Sequence, residues 1–163
     1  MKGSIGRTAL IAALALIPAA TASAQNGPAC SPARVAGDWG YTATGTLILP
    51  TGPVPFALVG KMTGEPSGDF SGTQDSSAGG NVATDTLLGT ATVNADCTGA
   101  VTVNLYDAEG HLLRTATYAT VYVDNAKELR GIMTSLTLAD GTRVPTVVTL
   151  EAKRVFTNRR NQP

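Results

Sequence analysis

"GDWGYTATGTLILP", residues 37–50, holds the only tryptophan in the chain. Gly37 and Asp38 precede it, threonines then alternate with larger residues, and Pro50 stops the run. Alternation of this kind predicts a strand with one buried and one wetter face. Trp39 opens that strand. It is either the plug of a closed β-structure or an aromatic contact for a bound molecule, and the rest of the chain bears on which.

Outward from this stretch, threonine, valine, glycine and alanine dominate, and long helix-forming charged stretches are absent. Threonine and valine suit a pleated, half-buried surface. Turn-forming clusters recur at 50–53, 64–69, 78–81, 94–99, 107–110, 124–127 and 139–142. Each mixes Gly, Pro, Asn or Asp, which supply unusual φ values or local side-chain bonds. The runs between them predict eight strands over about 39–49, 54–63, 69–78, 82–93, 100–106, 111–123, 128–138 and 143–156.

Period two is visible in several runs. Residues 100–106 place Val101, Val103 and Leu105 on one face, with Thr102, Asn104 and Tyr106 on the other. Tyr118 and Tyr122 oppose Ala119, Val121 and Val123, while Val148, Leu150 and Ala152 oppose Thr149, Glu151 and Lys153. Long strands joined by short turns predict an antiparallel meander. Eight such strands close most economically, because closure removes exposed edges. An immunoglobulin-like sandwich would place both cysteines inside strands around a tryptophan; here both lie outside strands and Cys30 precedes Trp39. The expected fold is therefore all-β, an eight-stranded antiparallel up-and-down barrel with no substantial helix. Gly45, Gly60, Gly72, Gly89 and Gly131 within the strands fit the coiling bends of a tight barrel.

The ends carry their own signals. Lys2 and Arg7 form a positive n-region, "ALIAALALIPAA" an apolar core too short for a membrane span, and Ala22-Ser23-Ala24 a cleavage pattern. Residues 1–24 read as a signal peptide cleaved near Ala24, so the expectation is an exported chain, periplasmic or extracellular. Residues 25–163, about 139 in number, suit one domain, with a frayed tail over 157–163. Losing Lys2 and Arg7 takes a formal charge of zero to about −2, which favours neither nucleic acid nor an anionic membrane. No second apolar stretch approaches spanning length. Nothing in the chain sets its oligomeric state. Cys30 and Cys97 in an exported chain predict one disulfide, stabilising by roughly 4 kcal/mol on chain entropy. With a single histidine, a zinc site has no third and fourth ligand.

Gly37-x-Trp39 at the start of the first strand resembles the Gly-x-Trp signature of the calycins, the lipocalin and avidin-like barrels. The resemblance spans residues 30–156 and adds Arg154, near the end of the eighth run, to Gly37 and Trp39. It implies a lipocalin-like barrel whose floor is closed where a basic residue packs across the tryptophan. Arginine over indole is favourable through cation–π attraction and a covered apolar stem. On this reading Trp39 is a floor plug. The Thr-Asp-Tyr motif of lipocalins is absent.

No enzyme signature appears. His111, the one histidine, follows a hairpin and has no nucleophile or orienting partner in sight. The carboxylates, Asp85 among them, read as turn formers and solubilising groups. "GEPSGDFSG" and "SSAGGN" lack the strand-to-helix setting of a phosphate loop. No motif demands a cofactor, and no spacing names a metal or catalytic set. What remains is the interior, for which Phe56, Leu58, Met62, Phe70, Leu88, Val103, Tyr118, Met133 and Leu150 are candidates. Phe56, Met62, Phe70, Tyr118 and Met133 are the proposed contacts for a small apolar molecule. The expected function is an exported barrel binding such a molecule. A barrel filled by its own side chains is the alternative, and a cyclase or isomerase with polar groups converging near Glu151, Arg114 or Tyr118 is a third reading.

Overall fold

A computed structural model describes residues 29–155; the segments read as signal peptide and C-terminal tail lie outside them. One helical turn, α1 (Pro32–Val35), precedes eight strands: β1 (Gly37–Leu49), β2 (Gly52–Gly64), β3 (Asp69–Ala78), β4 (Asn81–Val93), β5 (Thr98–Tyr106), β6 (Leu112–Val123), β7 (Glu128–Leu138) and β8 (Thr146–Arg154). Each strand pairs with the next, and β8 pairs antiparallel with β1 to close the barrel. The expected up-and-down barrel is the fold observed. Among the described residues, no helix is long and apolar enough to cross a membrane.

The strands follow their sequence logic closely. Val101, Val103 and Leu105 face inward, as do Tyr118 and Tyr122 and the Val148, Leu150, Ala152 set. The eighth strand is shorter than the run 143–156. Pro145 lacks an N–H and sits just before it, so Arg143 contributes only an isolated bridge to Thr137 before regular pairing starts at Thr146. Two prolines do sit inside β2. The Pro55 carbonyl accepts from the Gly79 backbone N–H at 2.9 Å, and in a strand one residue's N and O point to the same side. Pro53 and Pro55 therefore aim their missing N–H past the end of the β2–β3 ladder, which begins at Phe56.

Tight coiling depends on small residues at strand crossings. A Cβ on Gly45 would lie 2.0 Å from the Val147 carbonyl oxygen, closer than any side chain tolerates. Gly60 gives its space instead to the Tyr41 ring, 2.5 Å from where a Cβ would stand. One glycine brings the β1–β8 seam together; the other lets a large aromatic enter the lumen.

The poles of the barrel differ. Hairpins β1–β2, β3–β4, β5–β6 and β7–β8 form the mouth; α1 and the other three connections form the floor. Ser31 caps α1 by accepting from the Arg34 backbone N–H at 3.3 Å, with Pro32 supplying a φ suited to the first turn. The turn's last carbonyl, on Val35, accepts from Trp39 Nε1 at 2.9 Å. Trp39 is 3% exposed, packs edge-on against Tyr122 at 6.1 Å, and carries the Arg154 guanidinium 5.3 Å from its ring centre. Arg154 Nε donates to the Ala126 carbonyl at 3.1 Å, and Nη2 donates to the Arg34 carbonyl. These bonds join β8 both to α1 and to a β6–β7 turn in which Asp124, Asn125 and Ala126 all have positive φ. The Cys30–Cys97 disulfide forms, tying the segment before α1 to the β4–β5 turn.

Candidate functional site

Inward-facing side chains divide the lumen into two chambers. The lower one, about 70 Å³, lies over the floor among Trp39, Met62, Phe70, Leu87, Tyr122 and Leu129. It is nearly filled by those residues. The upper one, about 330 Å³, is walled by Leu47, Phe56, Leu58, Met133, Leu136 and Val144 toward the mouth. Gln74, Val103 and Tyr118 line both and mark the partition.

The partition is polar and built by register. Tyr41 pairs with Gly60, Gly60 with Gln74, and Gln74 with Asp85, so three inward positions fall in one row across β1 to β4. Tyr41 donates its hydroxyl to Gln74 Oε1 at 3.1 Å, and Gln74 Nε2 donates to Asp85 Oδ2 at 3.1 Å. From the far wall, Arg114 Nη2 reaches the same Asp85 oxygen and also donates to Ser76 Oγ at 3.5 Å. The Asp85 side chain is 0% exposed; that of Arg114 is 20% exposed and lines the upper chamber. A buried ion pair of this kind is held by mutual attraction against the cost of desolvating both charges. Asp85 Oδ1 has no hydrogen-bond partner; with Thr120 Oγ1 it is one of two such buried side-chain atoms among the described residues.

Burial raises the tyrosines around this row. Desolvation pushes the Tyr118 hydroxyl up to about 12, against the opposing pull of Arg114. Tyr41 is raised further, by burial first and then by Tyr118 and Asp85. Both stay protonated at neutral pH; Tyr41 donates to Gln74, and the Tyr118 hydroxyl is left free to donate.

The five residues expected to contact a ligand divide between the chambers. Phe56 and Met133 line the upper one, Met62 and Phe70 the lower one, and Tyr118 stands between. Three sequence readings need correction. Leu88 is 50% exposed and its neighbour Leu87, 2% exposed, is the interior residue. Asp85 is not a turn former; it is the most deeply buried charge in the lumen. Of Glu151, Arg114 and Tyr118, the last two face inward, whereas the Glu151 side chain is 64% exposed and meets Arg130 outside.

Sequence reading placed Arg114 among the polar residues of the interior but missed its partners Tyr41, Gln74, Ser76 and Asp85. Asp85 lies two residues before Leu87 and shares its strand face, a signal that becomes usable only once Leu87 rather than Leu88 is known to face inward. His111 is 76% exposed and bonds only to Asp107, at 3.0 Å. With Glu109 these two are the one trio of potential metal-ligand side chains among the described residues, at the tip of an exposed hairpin.

No protein-family model matches the chain, and no curated protein matches it. Solved structures do. The structure of EF1p2_mFAP2b bound to DFHBI superposes with a TM-score of 0.53 at 12% identity, covering 77% of this chain and all of that one. A redesigned beta barrel, b11L5F_LGL, gives 0.47 at 14% identity, over 77% and 96% of the two chains. Rv2717c from M. tuberculosis gives 0.37 at 14%, over 77% and 94%. At such identities the first likeness bears on the fold alone.

Proposed function

We propose that this chain is an exported, lipocalin-like binding barrel of the calycin kind that holds a small, mainly apolar molecule in its upper chamber. The observation that carries the reading is the chamber itself. At about 330 Å³ it reaches the size of small-molecule sites, and it is walled by aliphatic, aromatic and thioether side chains with a few polar groups at its base. A barrel sealed by its own side chains would resemble the lower chamber throughout, at about 70 Å³. A barrel of this fold solved with DFHBI bound supports the reading. Export is supported by the Cys30–Cys97 disulfide, since such bonds persist in oxidising compartments.

Titration of the disulfide-bonded protein with a solvatochromic dye, alongside native mass spectrometry of the protein as isolated, tests this. Saturable dye uptake that is lost when Met133→Trp fills the upper chamber is the expected result. A barrel with no uptake at high micromolar dye, and no co-isolated mass, is a closed structural barrel instead.

A further inference from the structure

The polar row sets what kind of head group the upper chamber accepts. Arg114 is the one charged side chain lining that chamber. Taken alone, a guanidinium at the base of an apolar chamber would select a carboxylate or another anion. It is not alone. The fully buried Asp85 carboxylate shares an oxygen with Arg114 Nη2, so the charge is already balanced inside the partition. Asp85 Oδ1 has no donor on it, so the carboxylate keeps an unshared oxygen at the partition that a second anion would have to approach. An anion against Arg114 would give up its hydration for an attraction that Asp85 largely cancels. A cation would face Arg114 first. An uncharged acceptor loses little on dehydration and still finds donors. Arg114 Nη2 is engaged by Asp85 and Ser76; among the described residues its remaining N–H groups and the Tyr118 hydroxyl have no acceptor.

We infer that the upper chamber selects uncharged amphiphiles, an apolar body bearing one hydroxyl or carbonyl head directed at Arg114, and that Asp85 is the residue that excludes carboxylates. This rests on the binding reading above and adds to it the ligand's charge class. The device is a fixed counter-charge placed behind a cation, so that the cation keeps its donors and loses its preference for anions.

The test uses three probes with the same apolar chain: 1-decanol, decanoate and decylammonium, each displacing the solvatochromic dye from the intact protein at neutral pH. Decanol is expected to displace at a concentration at least about tenfold lower than either ion, since juxtaposing like charges or stranding one in a dry site carries a penalty of that order or more. In Asp85→Asn the uncompensated Arg114 favours decanoate, and the decanol-to-decanoate ratio falls by about tenfold or reverses. Decanoate binding as tightly as decanol to the wild-type protein overturns the inference. So does a ratio that Asp85→Asn leaves unchanged in a variant shown to be folded by circular dichroism. If that variant does not fold, the wild-type ratio decides by itself. Failure of the dye and all three probes to bind would instead remove the binding reading beneath the inference.

Discussion

The floor and the mouth of this barrel are made from the same strands, yet the two ends are built to opposite purposes. At the floor, Trp39, Tyr122 and Arg154 interlock, α1 covers them, and the disulfide fixes that cover to the β4–β5 turn. Hydrogen bonds from Trp39 and Arg154 tie this plug to α1 and to the β6–β7 turn. At the mouth, strands end in bare hairpins, and Val82, 75% exposed, stands at the rim of the upper chamber. The difference teaches where this chain spends its packing. Stability is concentrated at one pole, which leaves the other free to keep a space that is not filled.

The sharpest way to break the comparison is Trp39→Ala. It removes a buried aromatic and the ring on which the Arg154 guanidinium rests, and should lower stability by about 3–5 kcal/mol, read as a large drop in the thermal midpoint. Dye uptake in the upper chamber should survive at low temperature. Unchanged unfolding with lost dye binding would mean that Trp39 belongs to the site and not to the floor. Reducing the disulfide comes next. Its two cysteines are 67 residues apart, so the chain-entropy cost is about 4 kcal/mol before any residual structure in the unfolded chain is counted. Denaturant unfolding with and without reductant measures it; equal midpoints would show that the cover on the floor does not depend on the bond.

Alkaline pH acts on both the floor and the partition. Burial pushes Tyr122 and Tyr118 up to about 12 and Tyr41 further, whereas an unfolded tyrosine ionises near 10. The folded pKa is the higher one. These groups therefore contribute stability in full below about pH 10, and that contribution is lost as pH rises through about 12. Tyrosinate absorbance should rise in step with loss of near-ultraviolet dichroism. Full ionisation near pH 10 with the barrel intact would place the rings in water. The smallest effect belongs to the rim. Val82→Ser, on an exposed side chain, should shift stability by less than about 0.5 kcal/mol while weakening dye uptake. A large loss of stability would mean that the rim is part of the core.

How far the sequence could be read follows from the range of each interaction. Alternation is local, so "AVTVNLY" and "TVVTLEAKR" show their faces without help from any partner. Turn residues are local too, and strand ends followed them, except where Pro145 delayed β8. Adjacent leucines defeat a period of two: nothing in "DTLLGT" says which of Leu87 and Leu88 is inside. The polar row is a register effect. Gln74 meets Asp85 because one hairpin turns at Gly79-Gly80, and Arg114 reaches them from across the lumen. The hairpin turn encodes the first pairing, but no spacing along the chain encodes the approach of Arg114 from β6. The basic partner of Trp39 was legible only through the family pattern Gly-x-Trp, not from the residues around Arg154.

The seam between β1 and β8 has a kinetic meaning. Every other ladder in the barrel joins consecutive strands and forms through a short hairpin. The seam joins the two ends of the fold; Arg154 bonds the Arg34 carbonyl 120 residues away. Bringing such distant segments together carries the largest loop-closure entropy in the molecule, and topologies dominated by such contacts fold slowly. Seven hairpin ladders can accumulate before the ring shuts, and until then both outer strands offer open edges to other chains. Refolding should therefore be most prone to aggregation in the interval before closure. Once shut, the seam, from Trp39–Arg154 to Leu47–Thr146, leaves no free strand edge from which the ring could open, so its amides should exchange with solvent only when the whole barrel unfolds.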